Sequence, residues 1–225
     1  MPAPRVPQGR AIFGMAEDSE KIMEWARELR AIGQTGLHYS ENAYERERYE
    51  RVRQIAADML ARCSTLEPGE VVELDAADFA YVTPKVDVRG IVFRGDRVLL
   101  VREVADDGRW TVPGGWADVN DAPSEAVVRE IAEESGYEAR PVSLLAVYDR
   151  EKQGHVPPYP VHVYKLFFHC EITGGSPETD HETSDVGFFD VDELPELSVA
   201  RVTEAQLRQF HREVDGTGAG PADFD

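Results

Sequence analysis

Glu130, Glu133 and Glu134 stand within five residues, near the end of a helical stretch running from Pro123 to Gly136. Proline is tolerated at the first helical position, and glycine suits the left-handed residue that ends a helix. At about 100° per residue, the three glutamates share one face within an arc of about 100°. Val128, Ile131 and Ala132 are expected on the opposite, buried side. Like charges at i,i+3 and i,i+4 each destabilise a helix by about 0.2–0.5 kcal/mol, and acids in the last turn oppose its dipole. A solvated acidic face is the ordinary reading. Charges gathered where they cost stability also fit a counter-cation, and an oxygen-only set suits a hard ion such as Mg²⁺ or Mn²⁺.

The chain around this helix sets limits on its partners. Its 225 residues allow one large domain, or one domain with a smaller addition. The formal net charge is −19, from 24 basic and 43 acidic residues. Nucleic acid and anionic membrane surfaces both call for a basic patch, so neither is expected as a partner. A small phosphorylated molecule stays allowed, because metal ions can supply the positive charge. Cys63 and Cys170 have no ligand spacing and suggest no disulfide framework. No apolar run reaches the length of a membrane span, and a cytoplasmic location is the expectation.

Elements that must position the glutamates follow from periodicity. Residues 1–17 are expected to be disordered. A helical hairpin occupies 18–66, with Ile22, Trp25, Ala26, Leu29 and Ile32 on its first helix, which Gly33 and Gly36 should interrupt. Trp25 and the tyrosines of the pair are expected in its core. From 67 to 215 strands surround the acidic helix. Val86–Phe93 and Arg97–Arg102 flank a Gly95-Asp96 turn, and further strands cover 142–148, 161–172 and 186–191. A last helix at 202–214 leads to a tail, 216–225, expected to lack structure. Strands on both sides of a central helix predict an α+β fold, an α/β/α sandwich with a mixed sheet.

The spacing Gly115-x5-Asp121-x7-Arg129-Glu130-Ile131-x-Glu133-Glu134-x-Gly136-Tyr137 resembles the Nudix box, which has Gly-x5-Glu-x7-Arg-Glu-aliphatic-x-Glu-Glu-x-Gly-hydrophobic. Asp121 is its one departure. The helical pair, the Thr83–Gly90 segment, the Gly114–Asp118 turn and the His181–Phe189 segment resemble one subgroup of Nudix hydrolases. The likeness extends over about 18–212. That subgroup has a helical N-terminal domain and acts on nucleoside diphosphates linked to a further group, ADP-ribose and CDP-choline being typical.

The resemblance implies an Mg²⁺-dependent pyrophosphohydrolase, in which Mn²⁺ can substitute. Glu130, Glu133 and Glu134, with the Gly114 carbonyl, would hold the metal, and Arg129 would orient a glutamate by paired hydrogen bonds. Asp121, one methylene shorter than the usual glutamate, would brace Arg129 by a stretched or water-mediated bridge. The general base is a box glutamate such as Glu133, or a later loop acid, for which Glu182 is the candidate; a solvent-exposed acid is its ordinary alternative. Arg89 and Arg102 could reach a substrate phosphate or be surface ion pairs. Trp116 and Asp118 could line the pocket, as could His155 in the Pro-rich loop. Tyr148 and Tyr159 could stack on a base, with core packing as the alternative. The hairpin is expected to make a homodimer. The competing function is a non-catalytic nucleotide-sugar sensor on the same scaffold.

Overall fold

The computed structural model describes residues 11–63, 82–216 and 220–225. Two compact units make up the chain: Met1–Thr83 with Pro157–His162, and Pro84–Val156 with Val163–Asp225. The expected boundary at residues 66 and 67 lies outside the described residues, as do residues 1–10 of the N-terminus.

The first unit holds helices α1 (Ala11–Tyr39) and α2 (Ala43–Cys63). Met23, Ala26, Ala57 and Leu60 form its core. Helix α1 does not break at Gly33 and Gly36, and it begins at Ala11, inside the stretch expected to be disordered. The glycines serve close packing instead. A Cβ on Gly36 would lie 2.4 Å from the Tyr49 ring, and one on Gly33 would lie 2.7 Å from Arg53 Cγ. The break comes at Asn42, whose Oδ1 accepts the N–H of Tyr44 at 2.9 Å and caps α2. Trp25, Tyr39 and Tyr44 are exposed rather than buried.

In the second unit, β1 (Lys85–Ile91), β2 (Phe93–Arg94), β3 (Arg97–Glu103), β4 (Trp110–Thr111) and β5 (Gly114–Trp116) precede helix α3 (Pro123–Ser135). Strands β6 (Tyr137–Asp149), β7 (Val163–Gly175) and β8 (Thr183–Asp190), helix α4 (Glu204–Val214) and a short β9 (Asp223–Phe224) follow. One sheet runs β5-β1-β7-β6-β9, and a second is built on β3, paired with β2, β4 and β8. β1 runs parallel to β7 and antiparallel to β5, so the sheet is mixed. Gly95, at φ +59°, makes the turn between β2 and β3. Pro141 interrupts β6 at a register shift, where a missing N–H does least harm.

Successive side chains of a strand face opposite ways, so each sheet feeds two cores. Val88, Val92 and Leu99 pack with Ala126, Val127 and Ile131 of α3. Ile91, Val98, Leu100 and Phe167 pack with Leu207 and Phe210 of α4. A helix over each core gives the expected α+β sandwich.

The tail differs from expectation. Asp223 and Phe224 pair in parallel with Ala146 and Val147 of β6. Donors on the sheet edge hold them: Tyr148 Oη–H reaches Asp223 Oδ2 at 2.7 Å, Gln153 Nε2 reaches Asp225 Oδ1 at 2.8 Å, and Asp149 N–H donates to Asp225. Tyr148, considered above for base stacking, spends its hydroxyl here. Among the described residues no helix is long and apolar enough to cross a membrane.

Candidate active site

Helix α3 is fixed at both ends as its sequence demands. Pro123 occupies its first turn, and Gly136 ends it at φ +72° with its N–H donated to Ala132 O. The buried stripe runs through Ala126, Val127 and Ile131, and Ala132 faces solvent. Glu134 lies three residues beyond Ile131 and therefore falls on the buried side, only 4% exposed. The three glutamates thus occupy three environments: Glu134 buried, Glu130 with its side chain 13% exposed, and Glu133 at 55%.

The β5 turn supplies the other wall. Gly114, at φ +144°, lies opposite Arg89 in register, and a Cβ there would sit 2.1 Å from the Val88 carbonyl oxygen. Glycine alone allows that approach. Its N–H donates to Glu134 Oε2 at 2.8 Å. A Cβ on Gly115 would lie 2.9 Å from Glu130 Oε2, so the turn and two box carboxylates are in close contact. Burial pushes the Glu134 carboxyl up to about 8, although Arg89 and the Gly114 N–H pull the other way. Burial also raises Glu130. Two carboxyls raised by burial, at the end of a helix that opposes them, fit a set short of positive charge. The donors are oxygen only, which suits a hard divalent cation. Among the described residues no three acidic or histidine side chains already form a metal site.

Arg129 collects the more exposed acids. It meets Glu130 and Glu133 at 2.9 Å each, Asp121 at 3.3 Å and Asp118 at 3.4 Å. Asp121 thus touches Arg129 directly, at the long end of a hydrogen bond, as its shorter side chain allows.

Arg89 is buried and gripped by Asp87, with Nε at 2.6 Å from Oδ1 and a second nitrogen at 2.9 Å from Oδ2. Lys165, on β7 opposite Asp87, reaches Asp87 Oδ2 at 3.0 Å. Burial opposes all three charges. The two cations nonetheless hold Asp87 at about 2, Asp87 keeps Arg89 firmly charged, and Lys165 is drawn down to about 7. Asp87 and Lys165 are absent from the residues singled out in the sequence, where their signal is a charged side chain within an otherwise apolar strand.

The remaining candidates differ in their surroundings. Arg102 is exposed and donates through Nε to Gly108 O at 2.8 Å, closing the turn after β3. His155 is buried: its Nδ1 lies 2.8 Å from Val199 O and its Nε2 lies 3.3 Å from Gln206 Nε2. Burial first, then Lys165, depress it to about 4, so its ring stays neutral. Glu182 is exposed, with His181 Nε2 at 3.4 Å. Its neighbour Thr183 donates to Glu134 O at 2.9 Å, and Glu178 N–H donates to Ser135 O at 3.0 Å, which fastens this loop to the end of α3. Trp116, on β5, is half exposed.

Comparison with known proteins agrees with this geometry. Residues 83–213 match the NUDIX domain model, and residues 20–74 match a model described as UDP-X-like, N-terminal oligomerisation domain. A Bacillus subtilis (strain 168) protein named "Putative ADP-ribose pyrophosphatase YjhB" is 45% identical over 193 residues, covering 86% of this chain and 92% of its own. The crystal structure of a UDP-X diphosphatase superposes with a TM-score of 0.58 at 32% identity, covering 92% of this chain and 99% of that one. An ADP-ribose pyrophosphatase from Streptococcus suis superposes with a TM-score of 0.57 at 35% identity, covering 64% of this chain and all of its own, 100%. With the box running from the β5 turn through α3, and Glu130 and Glu134 set against that turn, the chain belongs to the Nudix hydrolases.

Proposed function

We propose that the protein hydrolyses the pyrophosphate of a nucleoside diphosphate linked to a second group, with ADP-ribose, UDP-linked compounds and CDP-choline as the substrate class. The products are a nucleoside monophosphate and the phosphate of the second group. The observation that carries this reading is the placement of Glu130 and Glu134 against the Gly114-Gly115 turn, where burial leaves both carboxyls in need of a cation. The names of the relatives support the substrate class.

Glu130, Glu133 and Glu134, with the Gly114 carbonyl, would hold Mg²⁺, for which Mn²⁺ can substitute. The bound ions would neutralise the charge that builds on phosphate oxygens and lower the pKa of an attacking water. The chain's own groups do the rest. Arg129 orients Glu133 and Glu130 through its two 2.9 Å contacts. Arg89, held rigid by Asp87, directs positive charge toward the site. Trp116 and Asp118 border it from β5 and the loop that follows. His155 and Arg102 play no part in this account, because both are committed to other contacts.

Glu182 is the proposed general base, carried by the loop that Thr183 fastens to α3. Glu182→Gln is expected to lower kcat about 10²-fold or more, with KM little changed. An unaltered kcat would remove Glu182 from the mechanism and pass the role to Glu133. Asn42-capped α2 and α1 carry exposed Trp25, Ile32, Tyr39 and Tyr44, and the oligomerisation description of the matching N-terminal model supports a homodimer built through them.

Hydrolysis of ADP-ribose, UDP-sugars, CDP-choline, dinucleotides and nucleoside triphosphates, with Mg²⁺ or Mn²⁺ and phosphorus NMR of the products, tests the reading. Release of a monophosphate from one compound, absent without metal, identifies the substrate. Nucleotide binding without turnover across the panel would leave the sensor reading in its place.

A further inference from the structure

We propose that Asp87, backed by Lys165, is a positioning residue that holds Arg89 away from Glu134 and so leaves Glu134 open to the cation. This rests on the metal-dependent reading above. That reading uses Asp87 only to hold Arg89 rigid and leaves Lys165 without a task.

The argument begins with one guanidinium and two buried carboxylates. Arg89 lies opposite Gly114 in register, and Gly114 is the residue whose N–H meets Glu134 at 2.8 Å. The charge of Arg89 acts on Glu134 as well as on Asp87. A forked Arg–carboxylate pair is among the strongest contacts a side chain can make, and whichever carboxylate wins it is neutralised. Were Glu134 the winner, its oxygens would be spent on a fixed internal cation.

Asp87 prevents that outcome. It takes Nε of Arg89 at 2.6 Å and a second nitrogen at 2.9 Å, which uses one whole edge of the guanidinium. A third nitrogen is turned toward Val112 O at 3.5 Å. Lys165 donates to the oxygen Oδ2 of Asp87 at 3.0 Å and keeps that carboxylate ionised between two cations. The parallel register that sets Asp87 beside Lys165, and the antiparallel one that sets Arg89 beside Gly114, fix these distances in the backbone.

Strand cohesion alone gives a poor account of the cluster. Val86, Val88 and Leu166 on the same strands already pack in the α3 core. Burying two cations and one anion is costly, and replacing such a group with apolar residues is often neutral or stabilising. Sorting Arg89 onto one acid and the metal onto the other gives the charges a purpose.

The test measures Mn²⁺ affinity of the full-length protein by isothermal titration or electron paramagnetic resonance, alongside kcat and KM. Wild type should bind Mn²⁺, and Glu134→Gln should abolish or greatly weaken that binding. Absence of Mn²⁺ binding in wild type overturns the underlying reading, and this proposal with it. With wild-type binding established, Asp87→Asn is expected to weaken Mn²⁺ affinity about 10-fold or more and to lower kcat with it, as the loss of a metal-supporting partner does. The double variant Asp87→Asn/Arg89→Met removes the competing guanidinium, and Mn²⁺ affinity should return to within about threefold of wild type. A purely structural Asp87 would give no such recovery. Asp87→Glu keeps the buried charge balance and serves if Asp87→Asn does not fold; displacement of the guanidinium by one methylene should weaken Mn²⁺ binding at least about threefold. Wild-type Mn²⁺ affinity in a folded Asp87 variant, or a double variant no better than Asp87→Asn, overturns the proposal.

Discussion

Two arginines organise the acids of this domain, and they do so in opposite ways. Arg129 spreads itself over Asp118, Asp121, Glu130 and Glu133 at 2.9–3.4 Å, at a surface where its own side chain is 32% exposed. Arg89 commits to Asp87 alone, in a fork, with both side chains under 10% exposed (5% and 9%). In water-like surroundings each contact of Arg129 contributes little, and the set can rearrange when a cation arrives. In the interior, the Arg89 fork is expensive to open because Arg89 would lose its carboxylate partner while buried, and Asp87 would keep only Lys165. The exposed network adapts and the buried one holds position. The proposed metal-dependent catalysis would use both, since such a site must admit its ions and must not fill itself with its own cations.

Glu134→Gln probes that contrast hardest, because it removes the one box acid that belongs to the buried region. It is expected to lower kcat about 10³-fold while leaving folding intact or improved, since a buried acid is lost. Activity within tenfold of wild type would place the essential ligands in the exposed network instead. The interior also predicts a pH signature through His155. Its folded value of about 4 lies below the ordinary 6.5, so the folded state carries the neutral ring. The stability this confers is complete above pH 6.5 and is lost as pH falls toward 4, by up to about 3 kcal/mol. Chemical denaturation of wild type and His155→Gln across that range should show the wild type losing the additional stability, and parallel curves would refute it. Asp121→Ala, in the exposed network, should cost about 1 kcal/mol or less in kcat/KM, read from steady-state kinetics. A loss comparable to that of Glu134→Gln would make Asp121 a ligand.

The sequence made the helix and its family motif legible because they depend on local rules and a fixed spacing. Proline at the start, αL glycine at the end and a long fixed spacing located α3 and its three glutamates. What local rules could not show was depth. Glu130, Glu133 and Glu134 read as one acidic face, yet a difference of about 100° around the axis separates buried Glu134 from exposed Glu133. Gly33 and Gly36 read as helix breakers because propensity sees only backbone freedom, whereas a neighbouring helix needed the space. His155 and Arg102 are plausible substrate contacts by residue type, and their partners, Val199 and Gly108, are visible only in three dimensions. Asp87 and Lys165 are 78 residues apart in sequence, and no spacing rule joins them.

Asp223 and Phe224 end the large sheet in a way that bears on the protein's behaviour in concentrated solution. A strand edge with free amides and carbonyls recruits strands from other molecules, and aggregates begin at such edges. The short β9 occupies that position beside Ala146 and Val147, and the aspartates on either side of Phe224 present negative charge to any chain as acidic as this one. A two-residue edge strand with aspartates on either side of its phenylalanine is a poor template for a further strand, so the fold disfavours sheet growth along this stretch of β6.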